Sequence, residues 1–164
     1  MPDGTPTYPC VADLRGSDVV GAHARHFGAD VVMTIGDPHV CPPEVYGTLP
    51  WLAWAPTDFI PPTRATLRSL ASARWVWSPS RVGAEAYRVA GIKRARHVPH
   101  GVDSRVFDVS DREVARDHLA AVTGADVMDK FIVVTVAANK SSPSRKGVYE
   151  LYAAFQTFLK NNPA

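Results

Sequence analysis

Short apolar runs bounded by turn residues alternate along this chain with stretches of helical periodicity. Val20, Ala24 and Phe27 recur at helical spacing between Asp18 and Phe27, and Gly28 supplies a stop. Val31-Val32-Met33-Thr34-Ile35 then reads as a short buried strand that ends at Gly36-Asp37-Pro38-His39. The stretch from Val40 to Pro50, with Pro42, Pro43 and Gly47, reads as a loop, and Trp51-Leu52-Ala53-Trp54-Ala55 as a second strand between two prolines. Leu67, Leu70 and Ala71 mark a helix between Thr63 and Ala73, and Trp75-Val76-Trp77 a third strand. Ser80 is an N-cap for a helix with Val82, Ala86, Val89 and Ala90 on one side, ended by Gly91. Ala95-Arg96-His97-Val98 is the fourth strand, stopped by Pro99.

Ser110-Asp111-Arg112-Glu113 has capping-box spacing ahead of a helix carrying Val114, Ala115, His118, Leu119 and Val122, closed by Gly124. The run from Phe131 to Ala138 is continuous and β-branched, the pattern of a strand buried on both faces of a parallel sheet. A Ser-rich loop follows, then a helix with Val148, Leu151, Tyr152, Phe155, Phe158 and Leu159 on one face. This order predicts an α/β fold, a Rossmann-like parallel sheet with helices on both faces. The polar stretch from Asp103 to Asp111 is the natural seam, giving a first part of residues 1–107 and a second of residues 108–164.

Composition narrows the classes. The chain has 164 residues, 46% apolar and 21% charged, with a net charge of +2, which is ordinary globular chemistry and no nucleic-acid surface. Cys10 and Cys41, without a secretory segment ahead of them, fit a reducing cytoplasm, and no apolar run approaches the roughly 20 residues of a membrane span. There is no G-x-G-x-x-G, G-x-x-x-x-G-K-[ST] or G-x-S-x-G pattern.

Ligands of open α/β sheets bind beyond the carboxyl ends of the strands. The residues there are Asp37 and His39, Thr57 and Asp58, Ser78 and Ser80, His100 and Asp103, and Asn139 with Arg145 and Lys146. Arg145 and Lys146 sit where the last helix begins, the end that ordinarily favours acidic residues. Two readings fit: a phosphate site, or cations solvated at the surface. His23 and His26 are three apart but lack further ligands, so solvent exposure or core packing explains them better than a metal, and His118 reads as a core histidine. Asp37-Pro38-His39 with Cys41 is explained by a Pro-rich turn, and the four tryptophans, Trp51, Trp54, Trp75 and Trp77, by the core.

Taken in order, Ala29-Asp30-Val31-Val32-Met33-Thr34, Trp54-Ala55-Pro56-Thr57-Asp58-Phe59-Ile60-Pro61, Ser78-Pro79-Ser80, Val98-Pro99-His100-Gly101-Val102-Asp103 with Phe107, then Asn139 and Arg145-Lys146-Gly147, resemble the retaining glycosyltransferases of family four. That resemblance implies a partial GT-B architecture, the end of a first Rossmann-like domain on the acceptor side plus the start of a donor-binding second domain. It implies transfer of a sugar from a nucleotide diphosphate sugar, with retention, without a metal or other cofactor. Arg145 and Lys146 would neutralise the leaving diphosphate, with Asn139 in the same pocket. Thr57 and Asp58 match the region that touches the transferred sugar or the acceptor, and so stand as the catalytic candidates.

The same resemblance marks what this stretch lacks: the first strands of the first domain, nearly all of the second, and a pair of glutamates eight positions apart. The expected partners are therefore a nucleotide sugar, an acceptor that is a glycan, lipid or protein, and a second chain that would complete the fold. A non-catalytic Rossmann-like module that binds a nucleotide or phosphate is the alternative.

Overall fold

The computed structural model describes residues 9, 12, 13, 15–109, 111–138 and 146–162. The chain divides into two compact units, Met1–Asp103 and Ser104–Ala164.

The first unit is a parallel α/β sheet. Helix α1 (Val20–Phe27) ends at Gly28, whose left-handed φ of 66° lets its N–H return to Ala24 and Arg25 carbonyls. Strands β1 (Val32–Ile35), β2 (Trp51–Trp54), β3 (Trp75–Ser78) and β4 (Ala95–His97) pair in that spatial order, all parallel. Helix α2 (Pro43–Tyr46) links the first two strands, α3 (Arg64–Ser72) the next two, and α4 (Arg81–Val89) the last two. Helix α2 lies in the stretch expected as a loop, and a 3-10 turn at Pro38–Val40 precedes it; prolines at the first position of each start them without losing a hydrogen bond.

Consecutive parallel strands joined by crossovers of one hand stack their connecting helices on the same side. Accordingly Tyr46 of α2, Leu70 of α3 and Tyr87 of α4 join Trp51, Ala53, Val76 and Ala95 in one buried cluster. The strand residues in between, Met33, Ile35, Leu52, Trp54, Trp75 and Trp77, form the other face by register. Only Trp51 of the four tryptophans belongs to the core, in place of the expected four. Trp54 and Trp77 meet edge to face at 6.1 Å, and His100 lies 4.8 Å from Trp54. Likewise β1 is only half-buried, and on one side, since Val32 and Thr34 are partly covered whereas Met33 and Ile35 are exposed.

The second unit holds α5 (Arg112–Thr123) and α6 (Val148–Asn161). Asp111 caps α5, accepting hydrogen bonds from the N–H groups of Glu113 and Val114, and Ser110 lies outside the described residues. His118 is exposed rather than core. The buried residue of α5 is Arg116, whose guanidinium donates to the carbonyls of Val127 and Lys130.

The strand expected from Phe131 to Ala138 does not form: these residues have no regular secondary structure, and Phe131, Val134 and Val136 are largely exposed. A parallel strand needs a neighbour for its N–H and C=O groups, and among the described residues this unit offers none. No helix of the described residues is long and apolar enough to cross a membrane.

Candidate functional site

The carboxyl ends of β1 and β2 open into a cavity of about 350 Å3. Asp37 and His39 enter it from the turn after β1, and Pro56, Thr57, Asp58 and Phe59 from the segment after β2. Thr63, Ala65 and Thr66 at the amino end of α3 form another side, and Tyr87 of α4 the inner wall. Thr63 caps α3 by accepting a hydrogen bond from the Thr66 N–H at 3.2 Å, which fixes this side of the cavity to the helix start.

The inner wall is made by close approach of α4 to the sheet. Gly83, Ala84 and Tyr87 are its buried residues, whereas Val82 and Val89, on the side expected to face inward, are exposed. Small residues bring the helix axis near the strands. A Cβ on Gly83 would lie 2.5 Å from Ser78 Oγ, 2.8 Å from Thr57 Oγ1 and 2.9 Å from Ser80 Oγ. Ser80 is the N-cap, accepting from the Gly83 N–H at 2.9 Å.

Two of those three hydroxyls, Thr57 Oγ1 and Ser78 Oγ, are buried without a hydrogen-bond partner. Such groups carry a desolvation cost unless something meets them. Ser78 does not line the cavity, but Thr57 does. Tyr87 donates its phenol to the Pro56 carbonyl at 2.6 Å, clamping the segment that carries Thr57 and Asp58. Burial pushes the Tyr87 phenol up from its ordinary value; the Thr57 hydroxyl opposes this, and the Asp58 and Asp37 carboxylates add to it.

A second cavity of about 470 Å3 shares Asp37 and His39 and extends to Arg15, Thr34, Cys41 and Tyr46. Cys41 is a buried free thiol; burial raises it, and contact with the Thr34 hydroxyl lowers it by less. Cys10 lies outside the described residues. Among the described residues no group of three or more His, Cys, Asp or Glu side chains is arranged to hold a metal, and His23 contacts the Pro9 carbonyl at 3.1 Å.

Of the predicted site residues, the structure brings Thr57 and Asp58 together with Asp37 and His39. Ser80 serves as a cap and His100 stacks on Trp54, so neither lines this cavity. Lys146 is exposed in the second unit; Asn139 and Arg145 lie outside the described residues. Helix α6 starts at Val148, after Gly147 as N-cap, and carries Glu150 in its first turn, so it does not open on the basic pair.

Tyr87, Phe59 and the amino end of α3 were missed by the sequence reading. Tyr87 had a signal, since Gly83, Ala84 and Tyr87 make a second helical stripe, but the more aliphatic stripe opposite overshadowed it.

Fold and site together define a parallel, Rossmann-like α/β unit with a crevice at the carboxyl ends of β1 and β2. A scan against protein-family models, a search of curated proteins and a search of solved structures each returned no match.

Proposed function

We propose that this chain takes part in sugar transfer from a nucleotide diphosphate sugar, as a partial GT-B glycosyltransferase of the retaining family-four kind. The observation that carries the reading is that Thr57 and Asp58, the two residues the resemblance assigns to the transferred sugar or acceptor, line a cavity at the strand carboxyl ends. On this reading Arg145, Lys146 and Asn139 hold the donor diphosphate and neutralise it as it leaves. The activity belongs in the cytoplasm, in keeping with the free thiol of Cys41.

A non-catalytic nucleotide- or phosphate-binding module is the second reading. It is favoured by one feature: residues 131–138 form no strand, so the donor side has no sheet edge among the described residues of its unit.

Calorimetry on the full chain separates the two, using UDP- and GDP-linked hexoses against the nucleoside diphosphates, with Arg145→Ala and Lys146→Ala as controls. Sugar-dependent affinity that both substitutions weaken supports transfer. Equal affinity for the diphosphate alone supports the binding module, and no binding in either arm sinks both.

A further inference from the structure

The sheet of the first unit has two edges of unlike character. Natural sheets blunt an open edge with charge, proline or short length, since its unpaired N–H and C=O groups would otherwise recruit another strand. Strand β4 follows that rule, with three residues and with Arg96 and His97 exposed. Strand β1 has four residues without a charge or a proline, and among the described residues it pairs only with β2. The Val32 N–H donates to the Pro50 carbonyl and the Gly36 N–H to the Trp54 carbonyl, both on the β2 side. Residues of a parallel strand alternate in direction, so Met33 and Ile35 aim their N–H and C=O groups at the open edge. Their side chains are exposed as well, that of Ile35 at 65%.

The second unit has the complementary deficit. Residues 131–138 carry a strand pattern with no neighbour to pair with, and Phe131 and Val136 are 94% and 95% exposed. The one charge within residues 130–138 is Lys130, and the charge at the amino end of β1 is Asp30. A strand laid parallel to β1, as the rest of the sheet runs, with Lys130 beside Asp30, sets Val133 beside Met33. The Val134 N–H then donates to the Met33 carbonyl, and the Ile35 N–H to the Val134 carbonyl. Two β1 edges would pair worse, because symmetry makes them antiparallel and brings Asp30 of each copy towards Asp37 of the other.

We propose that two copies of this chain associate by reciprocal exchange, residues 131–138 of each adding a strand to β1 of the other. Each copy brings one open edge and one unpaired strand, so a two-fold pair satisfies both and closes. The contact needs no nucleotide sugar, so it stands or falls apart from the transferase reading.

Sedimentation velocity on the full chain, from micromolar to hundreds of micromolar, reads the association. Expected is a dimer that dissociates on dilution. Val134→Pro removes the donor to Met33 and should weaken the dimer at least about tenfold, the size of a lost backbone hydrogen bond. Ile35→Lys places a charge on the open edge and should weaken it likewise. Val134→Pro keeps an intact edge and Ile35→Lys an intact strand, so a mixture of the two should form dimers at a concentration where neither variant does alone.

Val134 lies outside the sheet, and an unchanged urea midpoint of the first unit in Val134→Pro separates a lost contact from a lost fold. A chain monomeric at every concentration, a dimer that Val134→Pro leaves as tight as before, open growth beyond the dimer, or a mixture no more associated than its parts would each overturn the proposal.

Discussion

Replacing Gly83 with alanine sets two effects of known sign against each other. In an isolated helix Gly→Ala gains about 1 kcal/mol, because alanine loses less backbone entropy. In α4 the new methyl would stand 2.5 to 2.9 Å from three hydroxyl oxygens, distances at which atoms overlap. Overpacking of this kind costs about 1 to 3 kcal/mol. If Ser80 rotates away to relieve it, the N-cap bond to residue 83 is lost at a cost of about 1 kcal/mol. The net expectation is destabilisation of about 1 to 3 kcal/mol, the packing cost outweighing the propensity gain.

Urea unfolding followed by tryptophan fluorescence reads this unit specifically, since all four tryptophans lie between Trp51 and Trp77. With a slope of about 2 kcal/mol/M the midpoint should fall by about 0.5 to 1.5 M. Adding Ser78→Ala removes the closest overlap and should recover part of the loss. Alone, Ser78→Ala should be neutral or slightly stabilising, because that hydroxyl is buried without a partner. A Gly83→Ala protein as stable as the parent would refute the close approach of α4 to the strand ends.

Three further outcomes follow. Arg94 donates to the Leu70, Ala71 and Ala73 carbonyls at 2.7 to 2.9 Å, satisfying the carboxyl end of α3, so Arg94→Ala should cost about 1 to 3 kcal/mol in the same urea assay. Thr57→Val should leave stability unchanged or slightly higher in the same assay, because the hydroxyl oxygen is buried without a hydrogen-bond partner. Stability of the first unit should decline as pH climbs past 9 and then 10, the ordinary values of Cys41 and of Tyr46 and Tyr87. Burial raises all three, so the unfolded chain releases its protons first and holds fewer than the folded one. A flat urea midpoint between pH 8 and the alkaline limit would contradict this, and Cys41→Ala should remove the earliest part of the decline.

The candidate site was half legible before the structure. Thr57 and Asp58 could be named because they follow an apolar run, and ligands gather after parallel strands. Tyr87 could not, because nothing local says which stripe of α4 faces the sheet; Val82 and Val89 look more like core than Gly83 and Ala84 do. The cap at Asp111 rather than Ser110 is a shift of one position within a motif that was otherwise correctly located.

By itself the sequence determined the alternation of strands and helices, the Ser80 cap, the stops at Gly28 and Gly124, and the parallel α/β class, since each is a preference expressed within a few neighbouring residues. Tertiary structure decided that three tryptophans leave the core cluster, that Gly83 gives α4 its close approach, and that Asp37, Thr57, Asp58 and Tyr87 share one cavity. It also decided that residues 131–138, the strongest strand pattern in the chain, form no strand. Periodicity records which residues favour burial or extension, but a strand exists only when another strand meets its hydrogen-bonding groups, and a face is buried only when a neighbour covers it.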